Sequence, residues 1–170
     1  MTQRRLILRA LEDRLVPTVG DLLHTLTPPT DAALAGTSVA ASIQYAVVGA
    51  IGTNVNSLPY AGSAAIYDAN SGSLLWNLLD PSVTGGNGDL FGQSVAVSGT
   101  RVVVGAPWYQ PTTGQPIGQA YLFDATTGQL VHTLVNPEPD PTAWSVTGSP
   151  EQFADAVAII GNTAFVSADY

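Results

Sequence analysis

Two stretches of the chain are near copies of each other, and this internal repeat constrains the fold more than any other feature. Residues 62–81 read GSAAIYDANSGSLLWNLLDP, and residues 118–137 read GQAYLFDATTGQLVHTLVNP. The copies stand 56 residues apart, as their first glycines, Gly62 and Gly118, show. A fixed period of this order is the signature of a repeat architecture, in which one supersecondary unit is stacked several times.

The other half of the unit repeats as well. Residues 91–107 (FGQSVAVSGTRVVVGAP) match residues 35–51 (AGTSVAASIQYAVVGAI) at the same offset. Residues 153–169 (FADAVAIIGNTAFVSAD) match the first of these stretches at an offset of 62. The six additional residues fit between Glu138 and Glu151, because a loop tolerates an insertion and a packed strand does not.

A shorter copy stands alone near the start of the chain. Residues 20–26 (GDLLHTL) match residues 72–78 and 128–134, each of which ends a unit. We therefore expect an orphan strand that completes another unit. The predicted organisation is a leader at residues 1–18 and an incomplete repeat domain at 19–170, with the orphan strand at 20–26, unit 1 at about 36–80, unit 2 at about 91–137 and a truncated unit 3 at about 152–170.

Each unit is predicted to form four short strands. In unit 2, runs rich in Val, Leu, Tyr and Phe are separated by turn residues. The strands are expected at Ser94–Val97, Arg101–Ala106, Ala120–Phe123 and Gln129–Val135. The run Val102–Val104 is continuously apolar, as in a strand covered on both faces. Asp68 and Asp124 hold the same repeat position before a glycine, so we interpret them as turn caps and not as catalytic residues. His24 and His132 are interpreted as half-buried strand residues.

Four antiparallel strands repeated in this way form the blade of a β-propeller. The predicted fold class is all-β, a partial propeller of four-stranded blades behind a short helical leader. Since the smallest propellers have about four blades, we interpret the chain as the N-terminal fragment of a longer protein, whose remaining blades are its partners. The alternative is a complete stack of three units. An open strand edge near Ala164–Ala168 predicts association between copies.

The leader indicates how the protein reaches its location. Leucines alternate with Arg, Glu and Asp up to Pro17, which suits an amphipathic helix, but charges interrupt the apolar run of a cleaved signal peptide. Residues 10–18 (ALEDRLVPT) resemble the leader of many large, repeat-bearing bacterial surface and exported proteins. The resemblance implies an extracellular or cell-surface location; the alternative is an ordinary surface helix. No apolar run is long enough to span a membrane.

Composition excludes several classes of site. The chain has no cysteine and therefore neither disulfides nor thiolate metal sites. It has no lysine, and Arg101 is its one arginine after Arg14, while the net charge is −8. Nucleic acid requires clustered basic residues, so it is not an expected partner.

The pair Phe91-Gly92, followed by Gly105-Ala106-Pro107, is similar to the FG-GAP repeat, best known from the integrin α-subunit propeller. The resemblance is weaker in unit 1 and degenerate in unit 3. It implies a propeller used for adhesion or ligand recognition. The Asp-x-Asp-x-Asp-Gly calcium loop of many family members is absent here, so calcium binding is not implied.

A second resemblance competes with the first. Residues 67–76 (YDANSGSLLW) resemble the repeat of pyrroloquinoline-quinone propeller enzymes, in which the tryptophan packs between blades. Trp76 is the one match at this position, which holds histidine in the other copies. We interpret the likeness as shared blade architecture. The predicted function is therefore a non-catalytic surface propeller that recognises a surface protein or a glycan, without a required cofactor. A quinone-dependent oxidoreductase and a purely structural repeat are the alternatives.

Two groups of residues are candidates for binding. The segment 80–89 (DPSVTGGNGD) is acidic at both ends, and Asp80, Asn87 and Asp89 supply the oxygen atoms that calcium prefers. The alternative is an inter-unit loop without a metal. Aromatic residues in loops on a rigid β scaffold are natural contacts for a partner, although they equally pack under their own loop. These residues are Trp108, Tyr109 and Trp144.

Overall fold

The structure, a computed structural model, describes residues 24–82, 88–111, 115–139 and 152–168. Within these ranges every helix or strand is a β-strand, which confirms the all-β class. The predicted helical leader lies outside the described residues. The strands are β1 (Ala35–Ala41), β2 (Tyr45–Ala50), β3 (Ser63–Asp68), β4 (Leu74–Leu79), β5 (Ser94–Ser98), β6 (Arg101–Ala106), β7 (Gln119–Asp124), β8 (Leu130–Val135), β9 (Val157–Ile160) and β10 (Thr163–Val166).

The strands form antiparallel meanders in sequence order. β1–β4 make one four-stranded sheet, β5–β8 make a second, and β9 and β10 pair in a two-stranded sheet. We call these sheets unit 1, unit 2 and unit 3. The predicted four-stranded unit is confirmed, and the strands of unit 2 differ from prediction by only one residue at any end. The described strands do not close into a ring.

The units stack face to face, and β6 lies in the middle of the stack. Val102 and Val104 pack in one apolar cluster with residues of unit 1, whereas Val103 packs in another with Phe153 and Ala154 at the start of unit 3. All three valines are fully buried, which confirms a strand covered on both faces. The apolar run exists because each face of the sheet meets a neighbouring unit.

In unit 1 and unit 2, an aspartate caps the turn between the third and fourth strands. The Asp68 carboxylate accepts hydrogen bonds from the backbone N–H groups of Asn70 and Ser71 at 2.9 and 2.8 Å. The Asp124 carboxylate accepts one from the N–H of Thr126 at 2.8 Å, and Arg101 pairs with its other oxygen at 3.3 Å. The predicted role of both aspartates as turn caps is confirmed.

The meander separates two ends of each sheet. Short turns between successive strands lie at one end, which we call the hairpin end. The longer connections, from β2 to β3, from β4 to β5 and from β6 to β7, leave and re-enter the sheets at the opposite end, which we call the loop end. In the described part of the chain, no helix is long and apolar enough to cross a membrane.

Candidate functional site at the unit junctions and the loop end

The Phe-Gly pair that opens unit 2 inserts into unit 1. Phe91 is fully buried, and its N–H donates to the carbonyl oxygen of Ala61 at 3.0 Å. Its ring lies 5.9 Å from that of Phe123 in an edge-to-face arrangement, a favourable geometry for aromatic pairs. Gly62 forms a parallel bridge with Phe91, and a β-carbon at Gly62 would overlap the Phe91 carbonyl group. Only glycine therefore fits this position.

The glycine of the pair makes the second half of the contact. The Ser38 hydroxyl donates to the carbonyl oxygen of Gly92 at 2.7 Å. A β-carbon at Gly49 would overlap that same carbonyl oxygen. We call the insertion of a phenylalanine and the residue that follows it against these glycines the unit lock.

The unit lock recurs at the next junction. Phe153 and Ala154 hold the positions of Phe91 and Gly92, and the Ser94 hydroxyl donates to the Ala154 carbonyl oxygen at 2.9 Å. A β-carbon at Gly105 would overlap that oxygen, and one at Gly118 would overlap the carbonyl oxygen of Phe153. The next unit thus docks on Gly105, the glycine of the repeated Gly-Ala pair, and on Gly118.

A second contact joins successive units at the hairpin end. Trp76 on β4 donates its Nε1–H to the Ala125 carbonyl oxygen at 3.0 Å, and its ring lies against Gly128 in the turn of unit 2. His24 holds the same repeat position and contacts the turn of unit 1, with Nε2 2.7 Å from the Asn70 carbonyl oxygen and its ring against Gly72. In both cases the side chain at this repeat position packs against the turn glycine of the following unit.

The two histidines differ from expectation in their exposure. His24 and His132 are exposed, so the prediction that they are half-buried was wrong; His132 lies in β8, as predicted for a strand residue, whereas His24 belongs to no strand. The physical reason is that this position lies at the outer edge of the stack. Of the predicted orphan strand at residues 20–26, residues 20–23 lie outside the described residues, and His24–Leu26 belong to no strand.

The connection from unit 1 to unit 2 brings two carboxyl groups together. Asp80 follows β4 and accepts the N–H of Ser82 at 2.8 Å, and Asp89 lies two residues before Phe91. Asp80 is 6 % exposed and Asp89 5 %, and their carboxyl groups lie within hydrogen-bonding reach of each other. The Oδ2 atom of each has no hydrogen-bond partner among the described residues.

The aromatic residues of the loop end are accessible in part. Trp108 and Tyr109 are half-buried, and the backbone N–H of Trp108 donates to the Asp89 carbonyl oxygen at 3.2 Å. Tyr60, in the corresponding loop of unit 1, is 51 % exposed, and its carbonyl oxygen accepts the N–H of Leu90 at 3.1 Å. Aromatic residues from two units therefore flank the 88–90 segment. Trp144 lies outside the described residues.

A comparison with protein families gives the unit its name. Residues 84–123 match the FG-GAP repeat family. The chain carries an FG-GAP repeat. The matched segment contains Asp89, the Phe-Gly pair, the Gly-Ala-Pro sequence, strands β5 and β6, and all of β7 except its last residue, so it includes both surfaces of the unit lock.

Other comparisons add little to the FG-GAP match. A search among curated proteins finds no match to the chain. Among solved structures, the crystal structure of the computationally designed Ika4 protein is 17 % identical, and the alignment covers 89 % of this chain and 98 % of that one at a TM-score of 0.33.

Burial and mutual repulsion set the charge of the carboxyl pair at the start of the FG-GAP unit. Burial raises the pKa of Asp80, and burial together with the hydrogen bond and charge of Asp80 raises the pKa of Asp89 to about 8. Burial also raises the pKa of Tyr121, whose hydroxyl donates to Gln119 Oε1 at 2.8 Å. Burial thus opposes the charged form of these two carboxyl groups and of the Tyr121 phenol.

Only two of the three predicted calcium ligands are among the described residues. The structure brings Asp80 and Asp89 together, as a shared ligand set requires, but Asn87 lies outside the described residues. Among the residues described, no three His, Cys, Asp or Glu side chains are grouped closely enough to hold a metal ion. Calcium binding at this junction stays a prediction.

Tyr60 was not identified from the sequence as a candidate contact. Its repeat position is not aromatic in unit 2, where Pro116 stands instead. The signal available was local. Tyr60 follows Pro59 in a loop between two strands, as Trp108 follows Pro107. An aromatic residue after a loop proline marks the loop end in both units.

Proposed function

We propose that the chain is part of a non-catalytic, propeller-like scaffold, located outside the cell, that recognises a surface protein or a glycan through its loop end. The observation that carries the proposal is the position of Tyr60, Trp108 and Tyr109, which come from two successive units and lie at the same end. The FG-GAP repeat supports a propeller-like domain as the scaffold.

The unit lock supports recognition by a rigid surface. Backbone hydrogen bonds and close glycine contacts fix each unit against the next, so the loops that follow β2 and β6 start from fixed positions. Aromatic side chains lose little conformational entropy on binding and present both apolar and polar surface, which suits contact with sugar rings or with a protein. The net charge of −8 favours a neutral glycan or a basic protein face as the ligand.

Alanine variants of the loop end test this proposal. We expect the protein to bind members of a glycan array or of a panel of surface proteins, and Trp108→Ala and Tyr60→Ala to weaken that binding at least tenfold. Ile43→Ser is the matched control, because Ile43 is 91 % exposed at the hairpin end. Equal loss of binding in all three variants would count against a site at the loop end.

The absence of catalysis is tested separately. Trp76 docks between units in the manner that the quinone-enzyme resemblance implies, but this contact is structural. We expect no quinone absorbance shift and no dye reduction after addition of pyrroloquinoline quinone and calcium. Turnover under these conditions would favour the oxidoreductase alternative. Export is tested by protease accessibility of the tagged full-length protein on intact cells of its natural host.

A further inference from the structure

Units 1 and 2 each have a face that receives the next unit, which we call the back face. On this face the first two strands contribute three residues to the unit lock. They are a serine that donates a hydrogen bond to the incoming backbone, a glycine, and a valine in the same apolar cluster as the incoming phenylalanine. These residues are Ser38, Gly49 and Val47 in unit 1, and Ser94, Gly105 and Val103 in unit 2.

The space on the back face explains why these residue types recur. A β-carbon at Gly49 would overlap the carbonyl oxygen of Gly92, and one at Gly105 would overlap that of Ala154. Both obstacles are backbone atoms, which cannot turn aside as the end of a side chain can. The valines of the two units are fully buried, so a larger side chain in their place would overfill the junction. The lock therefore requires a small residue at both positions.

Unit 3 has a different residue at all three positions of the back face. At the offset of 62, Ala156 stands in place of the serine, Ser167 in place of the glycine and Phe165 in place of the valine. Phe165 pairs with Ala158 across β9 and β10, in the same register as the matching residues of unit 2. Since side chains alternate along a strand, Phe165 and Ser167 lie on the same face of unit 3.

Each of the three changes opposes the lock for its own physical reason. The β-carbon of Ser167 occupies the position that units 1 and 2 leave to a carbonyl oxygen, and its Oγ accepts the N–H of Ala156 at 2.9 Å. Ala156 has no hydroxyl to donate to an incoming carbonyl group. Phe165 is larger than valine, and its side chain is 55 % exposed on this face, whereas the matching valines are fully buried.

We propose that the back face of unit 3 excludes the unit lock, so that the series of locked units stops at unit 3. Ser167 excludes the incoming carbonyl oxygen, Ala156 lacks the donor that would hold it, and Phe165 fills space that a following phenylalanine requires. A segment that packs behind unit 3 must make a junction of another geometry. These three residues thus determine which partners the face accepts, and a unit that begins with a phenylalanine of this kind is not among them.

Transfer of the unit 3 residues to unit 2 tests the proposal in the full chain. The triple variant is Ser94→Ala/Val103→Phe/Gly105→Ser. The sheet of unit 2 should persist, because the same residues already stand on paired strands in unit 3. We expect hydrogen exchange of the β9 and β10 amides to accelerate roughly tenfold or more, while the β6 and β7 amides stay protected. Gly99→Ser is the control, because it adds the same side chain in open space and should leave this exchange unchanged.

Unchanged exchange of β9 and β10 in the triple variant would overturn the proposal, since the unit 3 residues would then be compatible with the lock. If β6 and β7 lose protection as well, a lengthened chain decides. In that chain, residues 1–168 are followed by a second copy of residues 107–168, which completes unit 3 with copies of β7 and β8 and places another copy of β9 and β10 behind it.

The lengthened chain is compared with a form that carries Ala156→Ser, Phe165→Val and Ser167→Gly in the first copy of unit 3. We expect the amides of the last two strands to exchange roughly tenfold or more faster in the lengthened chain than in this substituted form, because only the substituted form offers a surface for the lock. Equal exchange in the two chains, or faster exchange in the substituted form, would overturn the proposal.

Discussion

Trp76 in unit 1 donates its indole N–H to the carbonyl oxygen of Ala125 in unit 2 at 3.0 Å, across 49 residues of sequence. The indole ring lies against Gly128, such that a β-carbon there would be 2.7 Å from Cδ2 of Trp76. A turn glycine therefore has two functions: it permits the positive φ of the turn and it leaves room for the neighbouring unit.

Gly128→Ala is expected to separate these two functions. The backbone at Gly128 has φ +69°, so alanine costs about 1–2 kcal/mol of strain there. The overlap with Trp76 should add roughly 1–3 kcal/mol. Gly99→Ala is the control, because its φ is +55° but nothing lies within 4 Å of the added methyl group. Urea unfolding should show the larger loss for Gly128→Ala. Equal losses would mean that the ring contact contributes nothing.

Gly118→Ala is expected to prevent docking of unit 3. A β-carbon at Gly118 would overlap the carbonyl group of Phe153, and a backbone group cannot rotate away as a side chain does. Cleavage by a protease within residues 152–168 should accelerate at least tenfold while β5–β8 stay protected. Gly36→Ala also places a methyl group on a residue of positive φ, but in open space, and should leave the cleavage rate unchanged. Similar cleavage of both variants would count against the unit lock.

Asp124→Asn is expected to matter at neutral pH and not in strong acid. Hydrogen bonds from the hydroxyl and N–H of Thr126, with a smaller contribution from Arg101, hold the pKa of Asp124 below its ordinary value. Its stabilising contribution is therefore present above about pH 4 and is lost as the pH falls through the lowered pKa. The melting temperatures of parent and variant should differ at pH 7 and converge near pH 2. A difference that is independent of pH would refute the charged role of this cap.

Phe165→Lys is expected to reduce association between copies. Within the described residues β10 pairs only with β9, and Phe165 on this edge strand is 55 % exposed. A lysine on an edge strand opposes pairing with another chain. Light scattering after size exclusion should show a lower mean mass for this variant than for the parent. Ile43→Lys adds the same charge in a turn and should leave the mass as it was; a parent that is monomeric throughout would contradict the expectation.

The elements that the sequence predicts well are those set by neighbouring residues. The strands of unit 2 follow from apolar runs between turn residues, and the cap at Asp124 follows from an aspartate four residues before Gly128. Both depend on residues that are close in sequence, so the sequence of a single unit is enough to predict them. The repeat then extends the prediction to the other units.

Features that depend on contacts between units were predicted less well. The segment 80–89 was interpreted as a candidate calcium site or as an inter-unit loop without a metal, and neither interpretation predicted that Asp80 and Asp89 are buried or that Tyr121 on β7 interacts with Asp80. Nothing local to the segment indicates that a tyrosine about forty residues away covers it. The exposure of His132 was predicted wrongly for the same reason, since it depends on contacts between units and not on the neighbouring residues of β8.

The unit lock also determines where such a chain can be divided. Register between units is fixed where Phe91 meets Gly62 and where Phe153 meets Gly118, and the junction tolerates a connecting loop that is longer by six residues. A cassette that begins at Phe91 and ends just before Phe153 carries one whole sheet, an insertion pair at its front and a docking surface at its back. Copies of that cassette could be transplanted or multiplied, with the loop end free to vary in length and sequence.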